Sequence, residues 1–198
     1  MAEDRAPASA IIPSIGHAER ERLLVLARAA VERATRSEPW PDWSAETGAL
    51  RQPAAAFVTL RAGHQLRGCI GCVEPRHWSL AETVVRMATA ASQEDPRFSR
   101  VREEELRGLT VEISVLGPLV PVERLEQVRV GRDGLVVEDR GHRGLLLPQV
   151  ATEWQWDLET FVSQACRKAG LPPDAWRTGA RLYRFEALVF GEGDAGNQ

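Results

Sequence analysis

The stretch LTVEISVL at positions 109–116 alternates without a break: Leu109, Val111, Ile113 and Val115 fall on one side and Thr110, Glu112 and Ser114 on the other. A period of two places successive side chains on opposite faces of an extended chain, so the run specifies a half-buried strand with its apolar side on a core. Whatever this chain folds into contains a sheet with one covered face. Glu112 is then aimed away from that core.

Other segments extend the sheet. Residues 54–60 and 65–73 read as two strands joined by a turn at Ala62, Gly63 and His64. Residues 134–139 and 143–147 form a second hairpin candidate around RGHRG, ending in LLPQV, and 181–190 reads as a last strand. Between them lie helical patterns. From Glu19 to Thr35 the residues Leu23, Leu26, Ala27, Ala30, Val31 and Ala34 recur at intervals of three and four. Ser79 followed by Glu82 is a capping box for a helix running to about Gln93, after which DPRF (95–98) breaks it. Asp157 can cap a helix bearing Phe161, Val162, Ala165 and Cys166, and Gly170 followed by Leu171 reads as a Schellman close. Strands and helices mix without a regular βαβ beat, so the expected class is α+β with a largely antiparallel sheet flanked by helices. The segment SEPWPDWSAETG reads as a loop whose Trp40 and Trp43 cover core. Residues 1–12 are expected to be a disordered tail, and 192–198 a loose one.

At 198 residues the chain is long enough to bury a core without staples, and 43% hydrophobic with 27% charged residues is ordinary globular usage. The opening residues lack the basic start and apolar run of a signal peptide, and no stretch has the length of a membrane span, so the expected compartment is the cytosol. A net charge of −3 gives no general attraction to nucleic acid. Lys168 is the sole lysine among 25 basic residues, but an arginine bias alone does not make nucleic acid an expected partner. Three cysteines argue against a disulfide framework.

The chemistry-bearing stretch is LRGCIGCVE at 66–74. Four readings of it stay open. His64, Cys69, Cys72 and His77 have the nitrogen and sulfur types zinc takes, but strand residues three apart face opposite ways and no second CxxC exists, so no metal is assigned. A thioredoxin-like pair needs its thiol at a helix N-terminus, and the next helix begins well beyond Cys72. A reactive Cys69 would draw on Arg67, two positions earlier on the same strand and therefore on the same face, whose charge favours the thiolate. The fourth reading is a small buried cysteine. Gly68 and Gly71 mark a place where a ligand or a neighbouring element comes close. GCIG matches neither a P-loop nor a Rossmann fingerprint, and no cofactor is called for. Glu112 is a candidate base, His142 a turn-tip residue, Asp95 and Arg97 a local pair at a turn, and Gln149 a buried amide fixing a loop or touching a ligand.

Taken together, LRGCIG (66–71), DPRF (95–98), VEISVL (111–116), LLLPQVATE (145–153), WDLETF (156–161) and CRKAGL with Trp176 beyond it resemble, in this order, the AMMECR domain family, called AmmeMemoRadiSam system protein A in prokaryotes. The likeness runs over roughly residues 20–191. It implies a single domain, 13–191, of a larger and a smaller lobe with the LRGCIG segment lining a cleft between them. It implies as partners a Memo-like protein, similar to extradiol dioxygenases, and a radical S-adenosylmethionine protein. It brings no settled activity. Many members have Thr or another small residue where this chain has Cys72, so chemistry common to the family does not run through Cys72. Two functions follow as expectations. One is an enzyme or enzyme component acting on a small molecule, with Cys69 and Glu112 as catalytic residues and Arg67, Gly68, Gly71 and Gln149 binding substrate. The other is a non-catalytic module that binds a partner.

Overall fold

The computed structural model describes residues 14–193. The tail expected over 1–12 lies outside the described residues, as does 194–198. The elements in chain order are α1 (His17–Thr35), β1 (Ala55–Ala62), β2 (Gln65–Gly71), α2 (Leu80–Gln93), β3 (Leu109–Leu116), β4 (Val120–Pro121), β5 (Asp133–Asp139), β6 (His142–Leu146), α3 (Pro148–Glu153), α4 (Leu158–Lys168) and β7 (Arg181–Gly191). The registered pairs β1 with β2 and β3, and β7 with β4 and β5, and β5 with β6, are all antiparallel. The class is α+β, as the mixed pattern predicts.

The chain divides into two compact units: one holds the described residues through Leu116 and again from Leu188, the other is Gly117–Ala187. In the first, the strand order is β2-β1-β3 with the last residues of β7 alongside β3. The alternation of β3 lands as read: Leu109, Val111, Ile113 and Val115 join Val58 and Leu60 of β1 in a core closed by Leu23, Leu26, Ala30 and Val31 of α1 and Leu80, Val84, Val85 and Ala88 of α2. Each of the larger side chains contributes about 1.5–3 kcal/mol on burial, which is what fixes the register, since a slip by one residue would turn the whole set outward. Gly63, at φ +59°, supplies the left-handed residue that the tight β1–β2 turn needs. Ser79 caps α2 by accepting from Glu82 N at 3.2 Å, but the box is not reciprocal: the Glu82 carboxylate accepts from Arg86 Nε at 2.8 Å instead. Trp43 packs partly on the core, while Trp40 is 39% exposed.

Glu192, assigned to the tail by sequence, is anchored. Its backbone N–H donates to Val111 O and its carboxylate accepts from Val111 N at 2.9 Å and from Arg28 Nε at 2.8 Å, with a second contact to Arg28 Nη2.

In the other unit β7, β5 and β6 lie in that order, with β4 on β7. Arg140 and Gly141, at φ +47° and +84°, make the two-residue turn of the RGHRG hairpin, both residues left-handed as a type I′ turn requires. Asp157 caps α4 by accepting from Thr160 N at 2.8 Å, and Leu171 N donates to Cys166 O past Gly170 (φ +74°), the Schellman close. The chain turns helical where a loop around Gln149 was expected: Pro148 sits at the first position of α3, where its fixed φ suits a helix start and no N–H is missed. Gln149 is therefore on a helix.

Candidate functional site

In the first unit the register of β1 against its two neighbours places Thr59 opposite Cys69 on β2 and opposite Glu112 on β3. Directly paired residues share a face, so Glu112, Thr59 and Cys69 form a polar row across three strands, on the side of the sheet away from α1 and α2. Thr59 is 4% exposed, and its hydroxyl donates to Cys69 Sγ at 3.4 Å. Glu112 and Cys69 are each half-buried.

Cys69 is also held through its peptide. The Asp95 carboxylate accepts from Cys69 N at 2.8 Å, and Arg97 Nη2 donates to Cys69 O at 3.1 Å. Asp95 in turn accepts from Arg97 Nε at 2.9 Å, Nη2 at 2.7 Å and its backbone N at 3.1 Å. The Arg97 guanidinium, against the cost of burial and with help from the Cys69 and Arg97 N–H groups, holds the Asp95 carboxyl down at about 2. Asp95 is 5% exposed, so this is a buried carboxylate whose oxygens are fully engaged. The turn reading of DPRF is thus right but incomplete, because the same two side chains grip β2.

Burial pushes the Cys69 thiol up from its ordinary value. The Thr59 hydrogen bond and the Arg97 charge work in the opposite direction and do not overcome it, and the charges of Asp95 and Glu112 reinforce it.

Arg67 does not accompany Cys69 as the strand parity predicts. The β1–β2 register shifts between Leu60 and Arg61, from Leu60 opposite Gly68 to Arg61 opposite Leu66, so Arg67 is the extra residue of a bulge. A bulge breaks the two-residue alternation on which a shared face depends. The Arg67 guanidinium is spent on Glu105, Nε to Oε1 at 2.7 Å and Nη2 to Oε2 at 3.1 Å, and on the carbonyls of Ser99 and Arg100. That pairing holds the Glu105 carboxyl below the usual carboxylate range. The cation beside Cys69 is Arg97.

At each of the two glycines a neighbouring element comes close. A Cβ on Gly68 would stand 2.2 Å from the carbonyl oxygen of Ala91 in α2, and one on Gly71 would stand 2.2 Å from the Phe57 ring. Gln149 belongs to the other unit, on α3. Cys72 is buried just past β2, its N–H donating to Ala56 O at 3.1 Å, while His64 and His77 are exposed. Among the described residues no three His, Cys, Asp or Glu side chains are grouped to hold a metal ion. Nor, among them, is any helix long and apolar enough to cross a membrane.

An antiparallel sheet carrying a buried carboxylate–guanidinium clamp on a glycine-flanked cysteine defines an α+β class, and comparison with known proteins gives it a family. The AMMECR1 model matches residues 24–190, and the chain belongs to that family. A protein of Thermococcus gammatolerans is 48% identical over 187 residues, which cover 87% of this chain and 89% of that protein. One of Methanothermobacter thermautotrophicus is 44% identical over 184 residues, covering 88% and 94%. The crystal structure of the uncharacterized protein PH0010 from Pyrococcus horikoshii is similar with a TM-score of 0.83 at 40% identity, covering 87% of this chain and 91% of that one.

Proposed function

We propose that this protein is a binding component and not a thiol-dependent enzyme: the row Glu112–Thr59–Cys69 receives a small polar molecule, or a polar group presented by a partner protein, and Cys69 takes part as a neutral thiol. The observation that carries the reading is the fate of the two arginines. A nucleophilic cysteine needs a cation free to favour its thiolate. Here Arg67 is neutralised by Glu105 and Arg97 by Asp95, and burial of the sulfur prevails over what remains of the Arg97 charge. The Thr59 hydroxyl already points at Sγ, which suits a hydrogen-bonding surface. The partner classes to try are those the family resemblance implies, a Memo-like protein and a radical S-adenosylmethionine protein.

The test is the rate of iodoacetamide labelling at Cys69, read by mass spectrometry across pH 6 to 10 with free cysteine as the standard. Slower labelling than the standard at pH 7, with a midpoint displaced upward, is the expected result. Labelling faster than free cysteine at pH 7 would overturn the binding reading and restore Cys69 as a nucleophile. Cys69→Ser is expected to leave partner binding within about threefold of the parent, because Ser keeps a polar group at the same place in the row.

A further inference from the structure

The ends of α1 and α2 lie side by side in the first unit, tied by Gln93 Nε2, which donates to Thr35 Oγ1 at 3.3 Å. With residues 100–104 they wall a groove of about 730 Å³. A helix C-terminus carries unanswered carbonyls and the negative end of the macrodipole, so cations are favoured there. Here the reverse is found. α2 has no basic residue in its last turn and Glu94 as its C-cap, and Glu38 follows shortly after the end of α1. Both carboxylates line the groove, both residues are exposed, and neither forms an ion pair among the described residues. Glu103 and Glu104 line it as well, paired with Arg36 at 2.9 Å and Arg102 at 3.2 Å. Four carboxylates thus face the groove against the guanidinium groups of Arg100 and Arg102. On its floor Gln93 spends its amide nitrogen on Thr35 Oγ1 and on Val101 O at 3.5 Å, while its oxygen accepts from no group among the described residues. The Thr89 hydroxyl beside it is buried without a partner. Trp40 forms a wall, 39% exposed, and its ring already takes one cation, the Arg86 guanidinium at 4.8 Å.

We propose that this groove binds a small linear diamine, one ammonium group at each helix end and the alkyl stem along Trp40. The groove offers acceptors in excess of donors, and an ammonium group brings donors and no acceptor. Its charge answers both the carboxylates and the helix ends, and the indole adds a cation–π attraction. The two unpaired carboxylates belong to the ends of separate helices, which is why the ligand carries two cations on one stem. A carboxylate set against a helix dipole costs stability until a cation arrives, and such breaches of a local rule are what binding sites accept. The site is separate from the row Glu112–Thr59–Cys69, none of whose residues lines the groove.

The test is calorimetric titration of the full chain with 1,4-diaminobutane at physiological salt, with tryptophan fluorescence followed in parallel. Butylamine, with one ammonium group, and 1,4-butanediol, with none, are the controls. Saturable binding of one diamine per chain is expected with a Kd of about 1 mM or tighter, at least tenfold weaker for butylamine and undetectable for the diol. Glu38→Gln combined with Glu94→Gln is expected to weaken diamine binding at least tenfold, and Trp40→Leu to remove most of the fluorescence response. No saturation by about 10 mM diamine, equal affinity for butylamine, or unchanged affinity in the double variant would overturn the proposal. A second reading needs no ligand. Glu94→Gln alone is expected to raise the Tm by about 1–3 °C, because it removes a charge that opposes the α2 dipole. A fall in Tm would show that the carboxylate serves the fold, and would also overturn the proposal.

Discussion

Asp95→Asn removes a charge without changing the shape of the clamp, and its cost follows from the carboxyl's own titration. A group held at about 2 instead of the ordinary 3.8 binds its folded surroundings better as the anion, and at about 1.4 kcal/mol per pH unit the difference is about 2.5 kcal/mol at neutral pH. The Arg97 side of the pair is half exposed, where solvent screens it, so the figure is an upper one. Because the folded value is the lower, the contribution is complete above about pH 4 and is lost as pH falls through about 2. Urea unfolding of parent and variant at pH 7, 4, 3 and 2 checks both size and sign. The substitution is expected to cost about 1.5–2.5 kcal/mol at pH 7 and close to nothing at pH 2. A cost that stays the same across this range would show that packing, not charge, makes the clamp stabilising, and would refute the reasoning.

Gly68→Ala places a methyl against the Ala91 carbonyl oxygen and is expected to lower stability by about 1–3 kcal/mol in thermal or urea unfolding, whereas Gly63→Ala, with open space around it, is limited to the roughly 1 kcal/mol cost of its left-handed turn. Arg86 lies over Trp40 at 4.8 Å and Trp78 at 4.4 Å and pairs with Glu82, so Arg86→Ala is expected to cost about 1–2 kcal/mol and to change the tryptophan fluorescence. For Arg28 and Glu192, a double-mutant cycle with Ala at each position is expected to give a coupling of about 1–3 kcal/mol, since Arg28 also donates to the Leu106 and Leu109 carbonyls and both side chains are largely covered; additive losses would mean that the pair does not act as one.

Much of the fold is written locally. The alternation of β3, the two left-handed hairpin turns and the caps at Ser79 and Asp157 each depend on residues within a few positions of one another, and each lies where its pattern puts it. What depends on distant partners is not so written. Arg67 and Cys69 share a face by parity, and parity fails because a single bulge residue intervenes, a feature with no signature in QLRGCIG beyond its glycines. Pro148 reads equally as a strand breaker and a helix start, and only the surrounding packing chooses. Asp95 and Arg97 announce a turn, yet nothing in DPRF names the strand they reach. The signal that points to it is a need: an edge strand with a charged pair elsewhere in the chain must have its outward peptide groups answered.

Those two motifs are one device in the folded chain, and the glycine explains why. With any side chain at position 68, β2 and the end of α2 stand further apart, because the Ala91 carbonyl already occupies the place of the missing Cβ. The close approach brings the helix to its end at Gln93 beside β2, and two residues later Asp95 is within 2.8 Å of the Cys69 N–H. Arg97 then follows within reach of both the carboxylate and the Cys69 carbonyl. The order of cause runs from the absence of a side chain at 68, through the packing of a helix on a strand, to the charge pair that fixes the cysteine's peptide. The thiol at 69 is thereby set in position by its backbone, with its Sγ accepting from the Thr59 hydroxyl.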